Sequence, residues 1–333
     1  VKLASVGLQR WIFRERPTIK TILKKKFFLK RNCKKVFMSA LSEEKSIFKL
    51  EIGDGGKAVK GLLETIEACL HKGKAVFTVD QNGLYSCTES VDRRILCLVN
   101  LNAKQFRSFR YYGVDGTGAG SFSFAIDMEN FFASVKKVRV KETISMILYF
   151  QSPHEIFLKT VRTENSPQSE SGAGTVSTSI AVQPVQPPQI CIPTDYDEKK
   201  TVAVSNKIFL ASSQSLNTKP SGSTLKVRRF KDGTIVFSSK DKAGVEKESQ
   251  FHSPYPDGKG LEVDYEQNYS TNLVFSIKKM INTTNNILIS LKENNPMRMV
   301  LNVQQLGTFT VYIKSQELLD AEKNIANEDL ETN

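Results

Sequence analysis

The chain has 333 residues, of which 40% are hydrophobic and 25% charged, and 47 Lys and Arg against 35 Asp and Glu give a formal net charge of +12. This length suggests about two domains, and the composition is that of a globular protein with a substantial core. The sequence has no run of 18 apolar residues, so it predicts no membrane-spanning helix. Its five cysteines are widely spaced and form no Cys-x-x-Cys pair, which argues against a disulfide scaffold and favours a reducing compartment.

The positive charge is concentrated at the start of the chain. Residues 1–37 hold twelve Lys and Arg and a single acid, Glu15, whereas the remaining residues are close to neutral. The lysine clusters within 24–35 are typical of a nuclear-localisation signal or of an arm that binds DNA. The alternative is that residues 1–37 are a non-native extension upstream of a true start at Met38. The segment lacks the apolar stretch and the cleavage site of a secretory signal.

Regular elements are predicted from residue 47 onwards. Residues 47–52 alternate between apolar and polar and predict a strand, and apolar residues recur at helical spacing over 59–70. A tight turn is expected at Asn82-Gly83, because this dipeptide tolerates positive φ. Further strands are predicted at 75–79, 84–87 and 95–99.

The next segment predicts more strands and a short helix. Residues 121–126 alternate, and Asp127 is a suitable N-cap for a helix with an apolar face up to Val135. Four prolines within 183–194 indicate an extended linker, because proline lacks a backbone donor and fixes φ. Strands are also predicted at 144–150, 155–161 and 175–182, with a Ser/Gly-rich loop at 165–174.

The second half repeats the pattern of the first. A strand at 201–204, a helix from Ser205 to about Leu216 and strands at 225–227 and 234–239 follow the linker. Gly83 and Gly233 begin similar turn-and-strand units 150 positions apart, and the later helix-and-strand units match at a similar separation. Self-similarity at this period predicts a duplicated domain. The alternative is that two unrelated α+β domains share the same order of elements.

The sequence contains no recognisable catalytic motif. His71, His154 and His252 lie in or beside predicted loops, without an acid or cysteine at metal-ligand spacing. The glycines of 116–120 lack the spacing of a phosphate-binding loop and precede a strand rather than a helix. The carboxylate pairs Glu64/Glu67 and Asp127/Glu129 are expected to be cap or solvent-facing residues. The sequence therefore predicts no enzyme, no metal site and no cofactor.

Several short motifs carry a family resemblance. Residues 295–303 place a proline before an apolar strand, and 306–313 place a Leu-Gly turn before a strand with tyrosine. Together with 190–193 and 84–88, these segments occur along the chain in the order found in the sliding clamps of the proliferating cell nuclear antigen type. The chain resembles that family over roughly residues 47–318. The resemblance implies an α+β DNA clamp fold, with two duplicated domains that each have antiparallel sheets and two short helices. The implied organisation is a basic N-terminal extension at 1–46, clamp domain 1 at 47–183, an interdomain connecting loop at 184–198, clamp domain 2 at 199–318 and an acidic C-terminal tail at 319–333.

The resemblance implies a homotrimeric ring whose helices surround double-stranded DNA. Cations on such helices offset phosphate charge without reading the bases. Ala211 and Gln214 stand where the family usually has two arginines, so either the lining is uneven or the alignment with the family shifts at this helix. The implied DNA-binding residues are Lys57, Lys60, Lys72, Lys74, Lys136, Lys137, Arg139, Lys207, Lys278 and Lys279.

The resemblance also implies a pocket for client proteins such as polymerases, ligases and nucleases. Such clients insert a short 3₁₀ plug with aromatic anchors beneath the connecting loop. The implied partner-binding residues are Ile190, Ile192 and Pro193 on the loop side and Cys87, Pro296 and Tyr312 on the floor. The family commonly has methionine where Cys87 stands. The alternative for Ile190 and Ile192 is that they only fix the linker to the sheet.

The expected function is that of a DNA polymerase processivity factor without enzymatic activity. It would be loaded by a clamp loader and would act in the nucleus, or in a cytoplasmic replication factory if the protein is viral. Subunits would meet through antiparallel edge strands, residues 175–182 against 225–229. One alternative is a checkpoint-type clamp subunit in a heterotrimer. Another is a monomeric viral processivity factor that holds DNA by charge, against which the near-neutral 38–333 argues.

Overall fold

The computed structural model describes residues 46–53, 56–70, 73–136, 138–139, 142–161, 175–216, 223–240, 244–251, 262–281 and 284–331. These residues belong to one unit, which begins at Ser46. The predictions for 1–37, for a start at Met38, for the 165–174 loop, for His71 and His252, and for Lys72 and Lys137 lie outside the described residues.

The part of the chain up to Pro184 holds nine described strands and two described helices. Most of them coincide with predicted elements to within a few residues. The strands are β1 Ser46–Ile52, β2 Lys74–Asp80, β3 Gly83–Glu89, β4 Ile95–Asn102, β5 Ser108–Tyr111, β6 Phe122–Asp127, β7 Thr143–Tyr149, β8 Ser152–Val161 and β9 Thr175–Pro184, and the helices are α1 Gly56–Leu70 and α2 Met128–Val135.

The part after Pro184 begins with a connecting segment, 185–197, that has no regular structure. A 3₁₀ turn, Glu198–Lys200, ends it. The later described strands are β10 Val202–Ser205, β11 Thr224–Phe230, β12 Ile235–Lys240, β13 Glu246–Phe251, β14 Val263–Ser270, β15 Asn286–Ser290, β16 Met297–Asn302 and β17 Gly307–Ile313, and the helices are α3 Asn206–Leu216, α4 Thr271–Val274, α5 Lys278–Ile281 and α6 Gln316–Glu331.

Local sequence explains the ends and faces of these elements. The carboxylate of Asp127 accepts a hydrogen bond from the backbone N–H of Asn130 at 2.9 Å, so this residue caps α2 as predicted. In β2 the alternating residues Ala75, Phe77 and Val79 are buried, as period-2 patterning requires. The predicted turn between β2 and β3 is present.

The two halves are built from the same arrangement of strands. In the first half the neighbours are β4-β3-β2-β6 and β9-β8-β7-β1, and in the second they are β13-β12-β11-β14 and β17-β16-β15-β10. All the pairings recorded between these strands are antiparallel. The predicted duplication is therefore confirmed.

A strand pair joins the two halves. β4 and β17 are antiparallel over seven residue pairs, from Ile95↔Ile313 to Leu101↔Gly307, and this pair makes one continuous 13-stranded sheet. Gly307 has φ +155°, and a Cβ there would lie 1.9 Å from the carbonyl oxygen of Asn100. Only glycine therefore allows this close approach of β17 to β4.

The helices form a row of neighbours. α1 contacts α2 on one side and the helical segment 271–281, made of α4, a 3₁₀ turn and α5, on the other. α3 contacts α5 at the far end of the row. α1 buries Val59, Leu62 and Ile66 in the core, so its polar stripe is left on the surface of the row.

Two features differ from the expectations. Residues 225–229, expected at a subunit edge, lie in β11, which pairs with β12 on one side and β14 on the other. The edge of that sheet is β13, and its run Glu-Lys-Glu-Ser-Gln lacks the apolar alternation that predicts strands. The C-terminal segment forms helix α6, whose Glu317 carboxylate accepts hydrogen bonds from the backbone N–H of Asn268 at 3.0 and 3.1 Å.

Candidate functional site

The solvent face of α1 carries equal numbers of positive and negative side chains. Lys57, Lys60, Glu64 and Glu67 follow one another at three- and four-residue spacing, and none of them is buried. The Nζ atom of Lys60 donates to the carbonyl oxygen of Val138 at 2.7 Å, which directs this ammonium towards the chain after α2. α1 therefore adds no net charge to the helix row.

The neighbouring helical segment partly neutralises the acids of α1. The Nζ atom of Lys279 lies 2.7 Å from Oε1 of Glu64, and a shallow groove of about 250 Å³ runs between the two elements. Both side chains remain partly exposed, so the ion pair stabilises the contact by less than about 1 kcal/mol. Lys278 is exposed beside this pair.

The remaining predicted DNA-binding residues lie along the same row or at its margin. Lys136 follows α2, Arg139 lies three residues further on, and Lys207 is in the first turn of α3, and all three are exposed. Lys74 begins β2 and borders a groove beneath β9. Lys72 and Lys137 lie outside the described residues.

The charge of the helix row is uneven. Ala211 and Gln214 are exposed on α3, where the resemblance implies two arginines. Across the described helical residues 56–70, 128–136, 206–216 and 271–281 there are six lysines and three glutamates. The row therefore presents a modest positive charge, which suits contact with phosphates but not strong binding by charge alone.

A small cavity brings together four of the six predicted partner-binding residues. Its volume is about 240 Å³. Ile190 and Pro193 of the connecting segment line one side, and Pro296 and Tyr312 line another. Cys87 is not part of the lining. Ile192 is not part of it either, and its side chain is 41% exposed.

The far end of the connecting segment is fixed to the sheet by Tyr196. Its hydroxyl donates to the carbonyl oxygen of Pro296 at 2.6 Å, and its ring centroid lies 6.1 Å from that of Tyr312. The guanidinium of Arg298 lies over the ring of Tyr196, 4.8 Å from its centroid, and also contacts the carboxylate of Glu198 at 2.6 Å. Burial raises the pKa of Tyr196 above its ordinary value, so the hydroxyl remains a donor at physiological pH.

Several residues of the cavity were not predicted. Arg93 and Arg94 come from the β3–β4 connection, Leu96 comes from β4, and Leu318 and Glu322 come from α6. Lys314, also in the lining, lies 2.8 Å from the carboxylate of Glu322. The adjacent arginines are visible in the sequence as a charged turn between two strands. The contribution of α6 depends on where the helix packs, which no local pattern shows.

β9 and β13, the strands of the repeat that are equivalent to the β4–β17 pair, each have an open edge. β9 pairs with β8 along one side, whereas on the other side only its residues 182–184 pair with β6. The unpaired stretch borders a groove of about 790 Å³, whose walls include Ala133 of α2 and Val176 of β9, the latter 57% exposed. β13 pairs with β12 alone among the described strands. Unpaired edges of this kind are ready to receive another strand.

The described residues offer no sign of a membrane span or a metal centre. Within the described ranges no helix is long and apolar enough to cross a membrane, and no cluster of three or more His, Cys, Asp or Glu could hold a metal ion. No protein-family model matches the chain, and no curated protein matches its sequence.

A solved structure matches most of the chain. It is the crystal structure of the PCNA2–PCNA3 complex from Sulfolobus tokodaii, with a TM-score of 0.62 and 14% sequence identity over 80% of this chain and 99% of that one. The chain has the PCNA-type clamp fold. The predicted fold class, α+β with two duplicated domains, is confirmed by this match and by the repeated strand order. The three candidate functional surfaces are the helix row, the open edges of β9 and β13, and the cavity under the connecting segment.

Proposed function

We propose that this protein is a sliding clamp that encircles duplex DNA and tethers a DNA polymerase and other replication and repair enzymes, without enzymatic activity of its own. The observation that supports this most is that one strand pair between the repeats is formed inside the chain, whereas the equivalent pair is not. β17 pairs with β4 inside the chain, whereas the equivalent strands of the repeat, β9 and β13, both have free edges. A second copy would pair its β13 with β9 as β4 pairs with β17.

Such pairing is head-to-tail, so it continues from copy to copy until a ring closes. The clamp fold and the resemblance of the sequence favour closure at three chains, which gives six similar domains. Closure would cover the apolar Val176 and the groove beside α2, and would remove edges that otherwise promote aggregation.

The charge of the helix row suits a ring that slides. Duplex DNA carries about one negative charge per 1.7 Å of axis, so a few lysines per chain are enough to keep the duplex centred. Topology would retain the DNA, and phosphate contacts would add no sequence preference. The proposed compartment is the one that holds the replicating DNA, the nucleus or a viral replication factory, where a clamp loader would open the ring.

One observation favours a second candidate, a subunit of a heterotrimeric clamp. β13 exposes Glu246, Glu248 and Gln250, whereas the free edge of β9 is made of uncharged Val, Ser, Thr, Ile and Ala residues. The two edges can pair through their backbones, but their side chains offer no opposite charges that would favour pairing between identical copies. A different chain with a basic edge would fit β13 better.

Light scattering coupled to gel filtration of the full chain tests the homotrimer. We expect a stable particle of about three times the 37.4 kDa chain mass at micromolar concentration. A persistent monomer would contradict self-assembly and favour the heteromeric candidate. In a second measurement, complexes assembled with a clamp loader should stay on closed circular DNA at 300 mM salt and leave after the circle is cut, whereas loss from both forms would contradict encirclement.

A further inference from the structure

The β3–β4 turn holds two arginines at the mouth of the cavity. The hydroxyl of Ser90 donates to the carboxylate of Asp92 at 2.7 Å and accepts from the backbone N–H of Ile95 at 3.0 Å. The backbone N–H of Arg93 donates to the carbonyl of Ser90 at 2.8 Å, and that of Arg94 donates to Asp92 at 3.3 Å. The turn is therefore fixed by its own hydrogen bonds.

Arg93 adopts an uncommon backbone conformation. Its φ of +55° lies in the left-handed region, which residues other than Gly, Asn and Asp rarely occupy. A strained residue of this kind persists only where the surroundings hold it, and it is a sign of a functional position. Arg93 and the next residue, Arg94, both line the cavity.

Among the residues that line the cavity, three are positively charged and two are negatively charged. Lys314 is paired with Glu322 across the mouth at 2.8 Å. Glu89 remains as the other acid of the lining, against Arg93 and Arg94. Arg94 reaches Asp92 only at 3.5 Å and is 43% exposed, and no ion pair of Arg93 is seen within the described part of the chain. The rim therefore has unused guanidinium donors.

We infer that the cavity is selective for client peptides that carry a carboxylate beside their apolar anchor, and that Arg93 and Arg94 bind this carboxylate. The inference rests on the proposed function, because it specifies which clients the clamp tethers. The apolar wall made by Leu96, Ile190, Pro193 and Tyr312 takes the anchor, while the guanidinium forks offer paired N–H donors that match a carboxylate. Charge at such a rim selects among partners and speeds their association more than it adds affinity.

A pair of peptides tests the selectivity on the full chain. Both are fluorescein-labelled 12-mers with two adjacent phenylalanines, and they differ only in four flanking positions, which are Asp in one peptide and Asn in the other. At 50 mM salt we expect the Asp peptide to bind on the order of fivefold more tightly, measured by fluorescence anisotropy. The advantage should shrink towards 300 mM salt.

The variant Arg93→Asn with Arg94→Gln assigns the effect to the turn. Asn tolerates the left-handed φ of position 93, so the turn should keep its shape. We expect this variant to lose the preference for the Asp peptide while its affinity for the Asn peptide is unchanged. Arg110→Gln, which changes an exposed arginine on β5 outside the cavity, should keep the preference.

The outcomes separate the inference from the proposed function. Equal binding of both peptides by the unmodified chain would overturn the inference and leave the client pocket standing. An equal loss of both peptides in the Arg93/Arg94 variant, or an equal effect of Arg110→Gln, would overturn it as well. Binding of neither peptide by the unmodified chain would contradict the client pocket itself and the selectivity together.

Discussion

Individual side chains on the helix row differ in how much positive charge they can offer to DNA. Lys278 is exposed and carries no ion pair within the described ranges, whereas Lys279 is held by Glu64 at 2.7 Å and Lys60 donates to a carbonyl oxygen. A phosphate would have to compete with these existing partners. We therefore expect a ranking in which Lys278 contributes more to DNA binding than Lys279 or Lys60.

Removing these charges one at a time should reveal the ranking. We expect Lys278→Ala to lower the slope of log affinity against log salt by about 0.9, the contribution of one phosphate contact. Lys279→Ala should lower it less, because Glu64 already neutralises part of that charge. Glu64→Gln should strengthen binding. Fluorescence anisotropy with a 30-base-pair duplex across a salt series measures all three.

Lys323→Ala is the matched control for these variants. Lys323 is an exposed lysine on α6, which is not one of the helices that form the row. A slope change for Lys323→Ala as large as that for Lys278→Ala would mean that DNA does not select the helix row.

Two buried tyrosines predict a fall of stability at high pH. Burial raises the pKa of Tyr265 and of Tyr269 above the ordinary value of about 10, so only the unfolded chain loses these protons as the pH rises past that value. The free energy of unfolding should therefore fall above pH 10, by up to about 1.4 kcal/mol per pH unit for each tyrosine. Urea unfolding at pH 8 and pH 10.5 measures the difference.

The contribution of one hydroxyl can be isolated with two variants. Tyr269→Phe should make the fall between pH 8 and pH 10.5 smaller. Tyr112→Phe removes a hydroxyl from a half-buried tyrosine in the chain after β5 and serves as the comparison. If Tyr269→Phe keeps the same pH dependence as the unmodified chain, Tyr269 is not a source of the fall.

Two elements are decisive for the proposed sites, the β4–β17 pair and α6. The first joins the halves, and the second covers one side of the cavity with Leu318 and Glu322. α6 begins after Ser315, whose hydroxyl accepts a hydrogen bond from the N–H of Leu318 at 3.1 Å, so its direction is set at its first turn. Neither the pairing of β4 with β17 nor the packing of α6 follows from the repeated order of elements.

A methyl group added at Gly307 tests whether the close approach of β4 and β17 is important for stability. Gly307→Ala would place Cβ 1.9 Å from the carbonyl oxygen of Asn100, and we expect it to lower the free energy of unfolding by at least about 2 kcal/mol. Gly120→Ala is the control, because its φ is also positive, at +72°, but nothing lies within 4 Å of the added atom. It should cost about 1 kcal/mol. Equal losses in urea unfolding would show that the close approach is not important for stability.

At the scale of the whole molecule, two copies of one strand arrangement form only one of the two equivalent strand pairs that could join copies. Inside the chain the two copies share one strand pair, and the same geometry is available at β9 and β13 for another chain. The groove beside β9 is lined by small side chains, among them Ala125, Ala133 and Ser134, which leave room for a neighbour. The assembly state is therefore the property on which the proposed function depends most.

Filling that groove should prevent assembly without unfolding the chain. Ala133→Arg places a long charged side chain at an exposed position of α2, where arginine is compatible with a helix. We expect the mass from light scattering to fall from about three chains towards one. Ala321→Arg, at an exposed position of α6, should leave the mass unchanged. A trimer that survives Ala133→Arg would mean that chains meet at another surface.

The amino-acid sequence determined the elements and their repetition. Alternating apolar residues in β2, the spacing of apolar residues in α1, the Asp127 cap and the glycines 150 positions apart are local signals, because each follows from the backbone periodicity of a strand, helix or turn. The duplicated fold followed from them. The resemblance of short motifs to the clamp family added four residues that do line the cavity, out of the six that it implied.

The tertiary structure decided which edges remain open and which charges remain free. β13 is a strand because β12 pairs with it, although its own residues are polar, and β11 is interior because β14 covers its second side. Likewise, only the packing of α1 against the segment 271–281 pairs Lys279 with Glu64, and only the position of α6 brings Leu318 to the cavity. These properties depend on contacts between residues distant in the chain, which periodicity along the sequence does not encode.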